Sequence, residues 1–115
     1  MTFPFGIEKE AEIYCKSAKF AMALQASDIE SQIADMANNM KINGTIGLPY
    51  TTVLNYMVSW TEDAVIKSGW NLIDEDGVSW WIGLFTQSYI RATDDYPHSF
   101  DEIFTQVFIR YFNNK

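Results

Sequence analysis

The chain has a single cysteine, Cys15, among its 115 residues. One thiol cannot form a disulfide within the chain, and it cannot build a metal cluster that needs several thiolates. Both facts are typical of a protein of the reducing cytosol. Because Cys15 lies between Tyr14 and Ala18 on an apolar helical stripe, we expect it to be buried and inert.

Long apolar runs and clustered bases are missing too. Charged residues interrupt the first thirty positions, and no stretch of about 18 uncharged apolar residues follows, so we expect neither a secretory signal nor a membrane-spanning helix. Eight Lys and Arg stand against fifteen Asp and Glu, which gives a net charge of −7. Binding to DNA or to an anionic membrane depends on clustered Lys and Arg, so we predict neither as a ligand.

The sequence also lacks recognisable catalytic motifs. It has no glycine-rich phosphate loop, no Gly-x-Ser-x-Gly nucleophile elbow and no His-Glu-x-x-His motif. Cys15 and His98 are the candidates for a Cys–His hydrolase, but His98 lies in a polar link where a solvated or capping imidazole is expected. An EF-hand at Asp74–Gly77 fails, since Leu72 and Gly83 would stand where carboxylate ligands are required. We therefore predict a protein that is not an enzyme and that carries no cofactor and no metal.

Aromatic residues are abundant. The chain has eighteen Phe, Trp and Tyr, and 48% of its residues are hydrophobic. This length and composition predict one globular domain, 1–115, around a single core. Each aromatic side chain buries roughly 150–250 Å², so we expect the aromatics first of all in that core. A Trp-rich patch left at the surface would instead favour a homodimer.

The spacing of the apolar residues predicts a mainly α fold, a single-domain bundle of about five helices. Helical stripes cover about 7–25, 27–43 and 50–67, and the last of these is apolar on several sides, which predicts the most buried helix of the chain. Ser27–Glu30 and Ser99–Glu102 match the capping box, in which the serine oxygen accepts a hydrogen bond from the N3 amide. Both serines are therefore predicted to start helices.

The last helix has the strongest apolar stripe. It consists of Phe100, Ile103, Phe104, Val107, Phe108 and Phe112. We expect this stripe to pack against the 50–67 helix near Met57 and Trp60.

Residues 70–82 allow two interpretations. Apolar runs on both sides of Asp74–Gly77 indicate a short β-hairpin or a loop, because Asp-Gly between apolar runs favours a tight turn. Alternatively, Ser79 caps a helix that continues to about Ala92. One face of that helix would consist of Trp81, Leu84, Phe85 and Ser88. We favour the helix from about residue 80, preceded by a short loop or minor hairpin.

Acidic residues cluster beside aromatic ones in the second half of the chain. One cluster is Asp74–Asp76, and the other runs from Asp94 to Glu102. Carboxylates attract a basic partner, and an aromatic side chain supplies the apolar contact that anchors it. Asp101 and Glu102 have an alternative role, because acids in a first turn stabilise a helix N-terminus. The predicted partner-binding residues are Asp74, Glu75, Asp76, Asp94, Asp95, Tyr96, Asp101 and Glu102.

A small, acidic, disulfide-free chain without catalytic residues is typical of proteins that act by binding another protein. In this physical character the chain is similar to bacterial immunity proteins, which neutralise basic toxins, although no motif carries the resemblance. The sequence therefore predicts a cytoplasmic inhibitor, an immunity protein that binds a basic toxin or nuclease domain. The alternatives are a phage-encoded inhibitor of a host defence enzyme, a nucleic-acid mimic, and a small enzyme with converging carboxylates.

Overall fold

The computed structural model describes residues 3–69, 75–93 and 98–113, with Glu75 and Asp76 given as backbone only. This part of the chain forms five α-helices and no strand. They are α1 (Ile7–Leu24), α2 (Ala26–Ile42), α3 (Tyr50–Lys67), α4 (Glu75–Ala92) and α5 (Phe100–Asn113). A 3₁₀ turn at Thr45–Gly47 joins α2 to α3. The predicted bundle of about five helices is confirmed. None of the helices described is long and apolar enough to cross a bilayer.

The junction between α1 and α2 differs from the predicted one. The two helices meet at Gln25, whose N–H donates into the last turn of α1 and whose carbonyl oxygen accepts from the first turn of α2. Ser27 lies inside α2, and no side-chain hydrogen bond caps that helix. The predicted capping box at Ser27 is therefore wrong, because the backbone of Gln25 already starts the helix. Glu30 instead contacts Arg91 of α4.

The start of α5 is the predicted one. The Ser99 Oγ accepts a hydrogen bond from the Glu102 N–H at 3.1 Å, as an N-cap serine does. The Ser99 carbonyl oxygen accepts the next bond, from the Ile103 N–H, also at 3.1 Å. The serine of the predicted capping box thus performs its role.

α4 is the central helix, since it packs against each of the other four. Val78, Ile82 and Leu84 are fully buried on its different sides. The alternatives of a hairpin, or of a cap at Ser79, are wrong for the described residues, because α4 already begins at Glu75 and encloses Ser79. Burial against four neighbours outweighs the local turn preference of the segment. Residues 70–74 lie outside the described part.

Small residues let the other helices approach α4. A Cβ at Gly83 would lie 3.1 Å from the Met22 Sδ and 3.4 Å from the Ala18 Cβ, so the absence of a side chain brings α1 close. Three hydroxyl residues of α4, Ser79, Thr86 and Ser88, are buried as well. The prediction that the 50–67 helix is the most buried one is wrong. Several positions of α3 are exposed, whereas Arg91 is the only exposed one among residues 77–92 of α4, because α4 packs against four helices.

The buried hydroxyls of α4 differ in their hydrogen bonds. The Ser88 hydroxyl donates to the Leu84 carbonyl oxygen at 2.7 Å, one turn earlier in the same helix. The hydroxyls of Ser79 and Thr86 have no hydrogen-bond partner among the described residues. The side chains of Ser79 and Thr86 therefore contribute their volume, and not a hydrogen bond, to the packing around α4.

The aromatic side chains of α5 form much of the core. Phe100, Phe104, Phe108 and Phe112 follow one another at one-turn spacing, with ring centroids 4.7 to 6.0 Å apart. Phe104 and Phe108 are fully buried in the same apolar cluster as Met57 of α3. The expected packing of α5 on α3 is present.

Phe104→Ala is expected to lower the free energy of unfolding by about 3–5 kcal/mol, because a buried aromatic side chain is replaced by a cavity. Phe20→Ala is the matched control, since Phe20 is 67% exposed, and it is expected to change stability by less than about 0.5 kcal/mol. Urea unfolding followed by circular dichroism measures both. Equal stability of the Phe104→Ala protein and the parent would show that this stripe is not the core.

Candidate functional site

The predicted partner-binding acids fall near two ends of the central helix. Glu75 and Asp76 form the first turn of α4, whereas Asp101 and Glu102 belong to the first turn of α5. Phe100 lines a groove with Arg91 of the last turn of α4, so the start of α5 lies at the C-terminal end of α4. The 18 residues of α4 span about 27 Å at 1.5 Å per residue. The structure therefore separates the first acidic cluster from the second.

Half of the predicted residues lie outside the described part of the chain. They are Asp74, Asp94, Asp95 and Tyr96. The last three stand between α4 and α5 in the sequence.

A groove of about 340 Å³ opens at this end, between α1, α2, α4 and α5. We call it the four-helix groove. Its apolar lining includes Met22, Ile29 and Ile33, which are buried and pack with Leu84 in a small cluster, and the partly buried Phe100. The groove thus has an apolar floor of the kind that receives a side chain or a small ligand.

Two exposed ion pairs border the four-helix groove. The Arg91 guanidinium donates to both carboxylate oxygens of Glu30, at 2.5 and 3.0 Å, and the Lys19 Nζ donates to the Asp101 Oδ1 at 2.9 Å. These hydrogen bonds lower the pKa of both the Glu30 and the Asp101 carboxyl. Both acids are therefore ionised near neutral pH, and the border of the groove carries alternating charges.

Asp101 also contacts the thiol of Cys15. The Sγ lies 3.6 Å from the Asp101 Oδ1, and Cys15 is 3% exposed. Burial raises the pKa of the Cys15 thiol to about 12, and the negative charge of Asp101 adds to the effect. The thiolate is the reactive form of cysteine, so this environment suppresses nucleophilic chemistry at Cys15. The predicted burial of Cys15 is confirmed.

Glu102 ties the start of α5 to the start of α3. The Tyr50 hydroxyl donates to the Glu102 Oε2 at 3.5 Å, and the His98 Nδ1 contacts the same oxygen. The rings of His98 and Tyr50 stack, with centroids 3.8 Å apart and an interplanar angle of 8°. Burial raises the pKa of Tyr50 to about 12, and the Glu102 carboxylate also raises it. His98 is thus held in a contact that connects two helices.

Asp101 and Glu102 have the position that the helix-capping alternative requires, and they also make contacts with other helices. They lie in the first turn of α5, where their charge complements the helix N-terminus, and they also make tertiary contacts. Their side chains remain 64% and 48% exposed, respectively, so both carboxylates face solvent. Within the described residues, no group of three or more His, Cys, Asp and Glu could hold a metal ion.

Sequence reasoning did not find the four-helix groove. Its lining combines Lys19, Ile29 and Glu30 with Arg91 and Phe100, which are up to about eighty positions apart. No local spacing connects residues of four helices. The one sequence feature that accompanies the groove is the mixture of basic and acidic residues on these helices. Such a mixture also occurs on ordinary helix surfaces, so it does not identify a groove.

The alkaline stability of the protein is expected to depend on Cys15. The thiol of the unfolded chain ionises near pH 8.5, whereas the folded protein keeps its proton until about pH 12. The stabilising effect is complete below pH 8.5, and it is lost as the pH rises toward 12. Between these values the unfolded state binds fewer protons, so the free energy of unfolding falls by roughly 1.4 kcal/mol per pH unit from this group.

Cys15→Ala is the comparison for this measurement, since both proteins share every other titrating group. Urea unfolding at pH 8, 9 and 10 should show a steeper fall for the parent than for the variant. Parallel curves, or rapid alkylation of the native parent by iodoacetamide at pH 8, would contradict a buried neutral thiol.

Comparison with family models, with curated proteins and with solved structures finds no match to this chain. The surface chemistry described above is therefore the basis for proposing its function.

Proposed function

We propose that this protein is a cytoplasmic inhibitor that binds a basic protein partner, and that it acts as an immunity protein for a toxin or nuclease domain. The observation that supports the proposal best is the end of the molecule where α4 leads to α5. There the four-helix groove adjoins the exposed carboxylates of Glu30 and Asp101. In the sequence, two more acids, Asp94 and Asp95, stand between α4 and α5.

Electrostatics supports a basic partner. The chain has a net charge of −7, which attracts cationic proteins and accelerates their association. Toxin domains that cleave RNA or DNA need basic surfaces, because their substrates are polyanions. An acidic protein that covers such a surface would also block the substrate.

The distribution of charge argues against a nucleic-acid mimic. Duplex DNA carries one negative charge per about 1.7 Å of its axis. Here the acids at the first turn of α4 are about a helix length, ~27 Å, from those at the other end of α4. Lys19 and Arg91 also lie among the acids that border the groove. A phage-encoded inhibitor of a defence enzyme remains the alternative, since such a protein would use the same kind of surface.

Charge reversal at Asp94 and Asp95 is expected to slow the association of the partner. The double variant Asp94→Lys/Asp95→Lys should lower the association rate constant and weaken its dependence on salt. Glu8→Lys/Asp35→Lys is the matched control, because it changes the net charge equally with two exposed residues that do not line the groove. Surface plasmon resonance with the partner captured from the native host measures the rates at several salt concentrations. Identical rates for both double variants would contradict the proposed surface.

Tyr96→Ala is expected to act mainly on dissociation. Loss of a central aromatic anchor commonly costs about 2 kcal/mol or more, which is roughly thirtyfold in affinity. The same measurement should therefore show faster dissociation with little change in association. If Tyr96→Ala and the acidic reversal both bound like the parent, while Asp101→Asn and Glu102→Gln only lowered the melting temperature, the acids would be purely structural.

Inhibition itself is tested by co-expression. The captured partner should be toxic to a host cell, and the parent protein should relieve the toxicity, whereas Asp94→Lys/Asp95→Lys should relieve it less. A partner whose activity is unchanged by the bound protein would contradict an inhibitory role.

A further inference from the structure

We infer that the four-helix groove receives an aromatic side chain of the basic partner, and that an arginine beside it takes over the Glu30 carboxylate from Arg91. This inference rests on the proposed function and specifies the chemistry of the partner. It depends on three features, namely the apolar floor of the groove, the geometry of the Arg91–Glu30 pair and the net charge of the chain.

The four-helix groove fits one large apolar side chain. The volume of the groove, about 340 Å³, is at the lower end of the range for ligand pockets, roughly 300–1,000 Å³. A groove of this size suits a single side chain better than a cofactor. Met22 lines the floor, and a thioether makes favourable contacts with aromatic rings. The partly buried ring of Phe100 offers a further aromatic contact. Aromatic residues are also the most frequent anchors at protein interfaces.

The Arg91–Glu30 pair shows which cation the border can bind. Two parallel hydrogen bonds join the guanidinium to the carboxylate, a geometry that a second guanidinium can reproduce and an ammonium group cannot. The two side chains are 39% and 60% exposed. An exposed ion pair stabilises the fold little, so exchanging one arginine for another costs little.

The net charge of the chain favours a cationic occupant. Lys19 and Arg91 are the cations that line the groove within the described residues, and each already pairs with a carboxylate. An occupant of either sign has to open one of these pairs, and an anionic one would in addition approach a chain of net charge −7. A second copy of the chain carries the same negative charge and would be repelled as well. A basic segment is attracted by the net charge and pairs with the carboxylates.

Peptide probes test the groove on the protein alone. The probe is N-acetyl-Phe-Arg-amide, added to protein with ¹³C-labelled Met and Ile methyl groups and followed by NMR. We expect saturable shifts of Met22, Ile29 and Ile33 with a dissociation constant on the order of 1 mM. N-acetyl-Phe-Glu-amide and N-acetyl-Ala-Arg-amide should shift these methyl groups far less. No saturable shift, equal shifts with the Phe-Glu probe, or methyl shifts that depend on protein concentration alone would overturn the inference.

Filling the groove is the first variant test. Ala23 lines the groove and is exposed, so Ala23→Trp should occupy the groove and abolish probe binding without disturbing the core. Ala34→Trp is the matched control, because Ala34 is exposed on α2 and does not line the groove. Circular dichroism confirms that both variants are folded. Probe binding by Ala23→Trp at the affinity of the parent would overturn the inference.

Removing the internal competitor is the second variant test. Arg91→Gln should leave Glu30 open to the probe and bind N-acetyl-Phe-Arg-amide about two- to fivefold more tightly. Lys41→Gln is the control, since it changes the net charge equally and Lys41 does not line the groove. Weaker binding by Arg91→Gln than by the parent would show that Arg91 itself holds the occupant, and would overturn the exchange.

The same variants separate this inference from the proposed function. If Asp94→Lys/Asp95→Lys slows capture of the basic partner while Ala23→Trp binds it like the parent, the proposed function stands and the inference fails. If the probe occupies the groove as expected while the acidic reversal has no effect on partner binding, the proposed surface fails and the groove remains a site for cationic aromatic segments.

Discussion

The enclosure of α4 by the other four helices is the constraint on which the rest of the structure depends. A helix that packs against four neighbours needs small residues wherever one of them comes close, and Gly83 supplies such a place for α1. α5 follows the C-terminal end of α4 and contributes a row of phenylalanines to the core. The four-helix groove exists because α1, α2 and α5 approach that end of α4 from different sides.

The same constraint explains which elements could be predicted. α1, α2, α3 and α5 each bury part of their surface, so the spacing of their apolar residues reveals them. α4 has no solvent-facing stripe along much of its length, and Ser79, Gly83 and Thr86 on its buried surface resemble the residues of a turn or an exposed face. For this reason the sequence predicts a hairpin or loop where the first half of α4 lies. The start of α2 was misplaced because Gln25 begins it with backbone hydrogen bonds alone.

For the candidate site, the sequence revealed the acids but not their surroundings. The order of residues in the sequence is enough to single out Asp101 and Glu102, because they belong to a visible cluster of acidic residues. Their contacts with Lys19, Cys15 and Tyr50 join positions 52 to 86 residues apart, and no local pattern anticipates them. These contacts give each carboxylate an internal partner and leave it exposed. If the proposed function holds, the partner meets carboxylates that are already held in place by contacts within the chain.

Ser79 and Thr86 of α4, whose hydroxyls have no hydrogen-bond partner among the described residues, bear on which sequences can adopt this fold. A buried hydroxyl that bonds to nothing among the described residues can be replaced by an apolar group of the same shape at little cost. Valine at Thr86 or alanine at Ser79 would therefore preserve the packing. The packing constrains the volume of the side chain at these two positions, and any residue of similar volume can replace the one present. Chains that share this architecture should thus keep a pattern of side-chain volumes along the central helix while their polar sequence diverges.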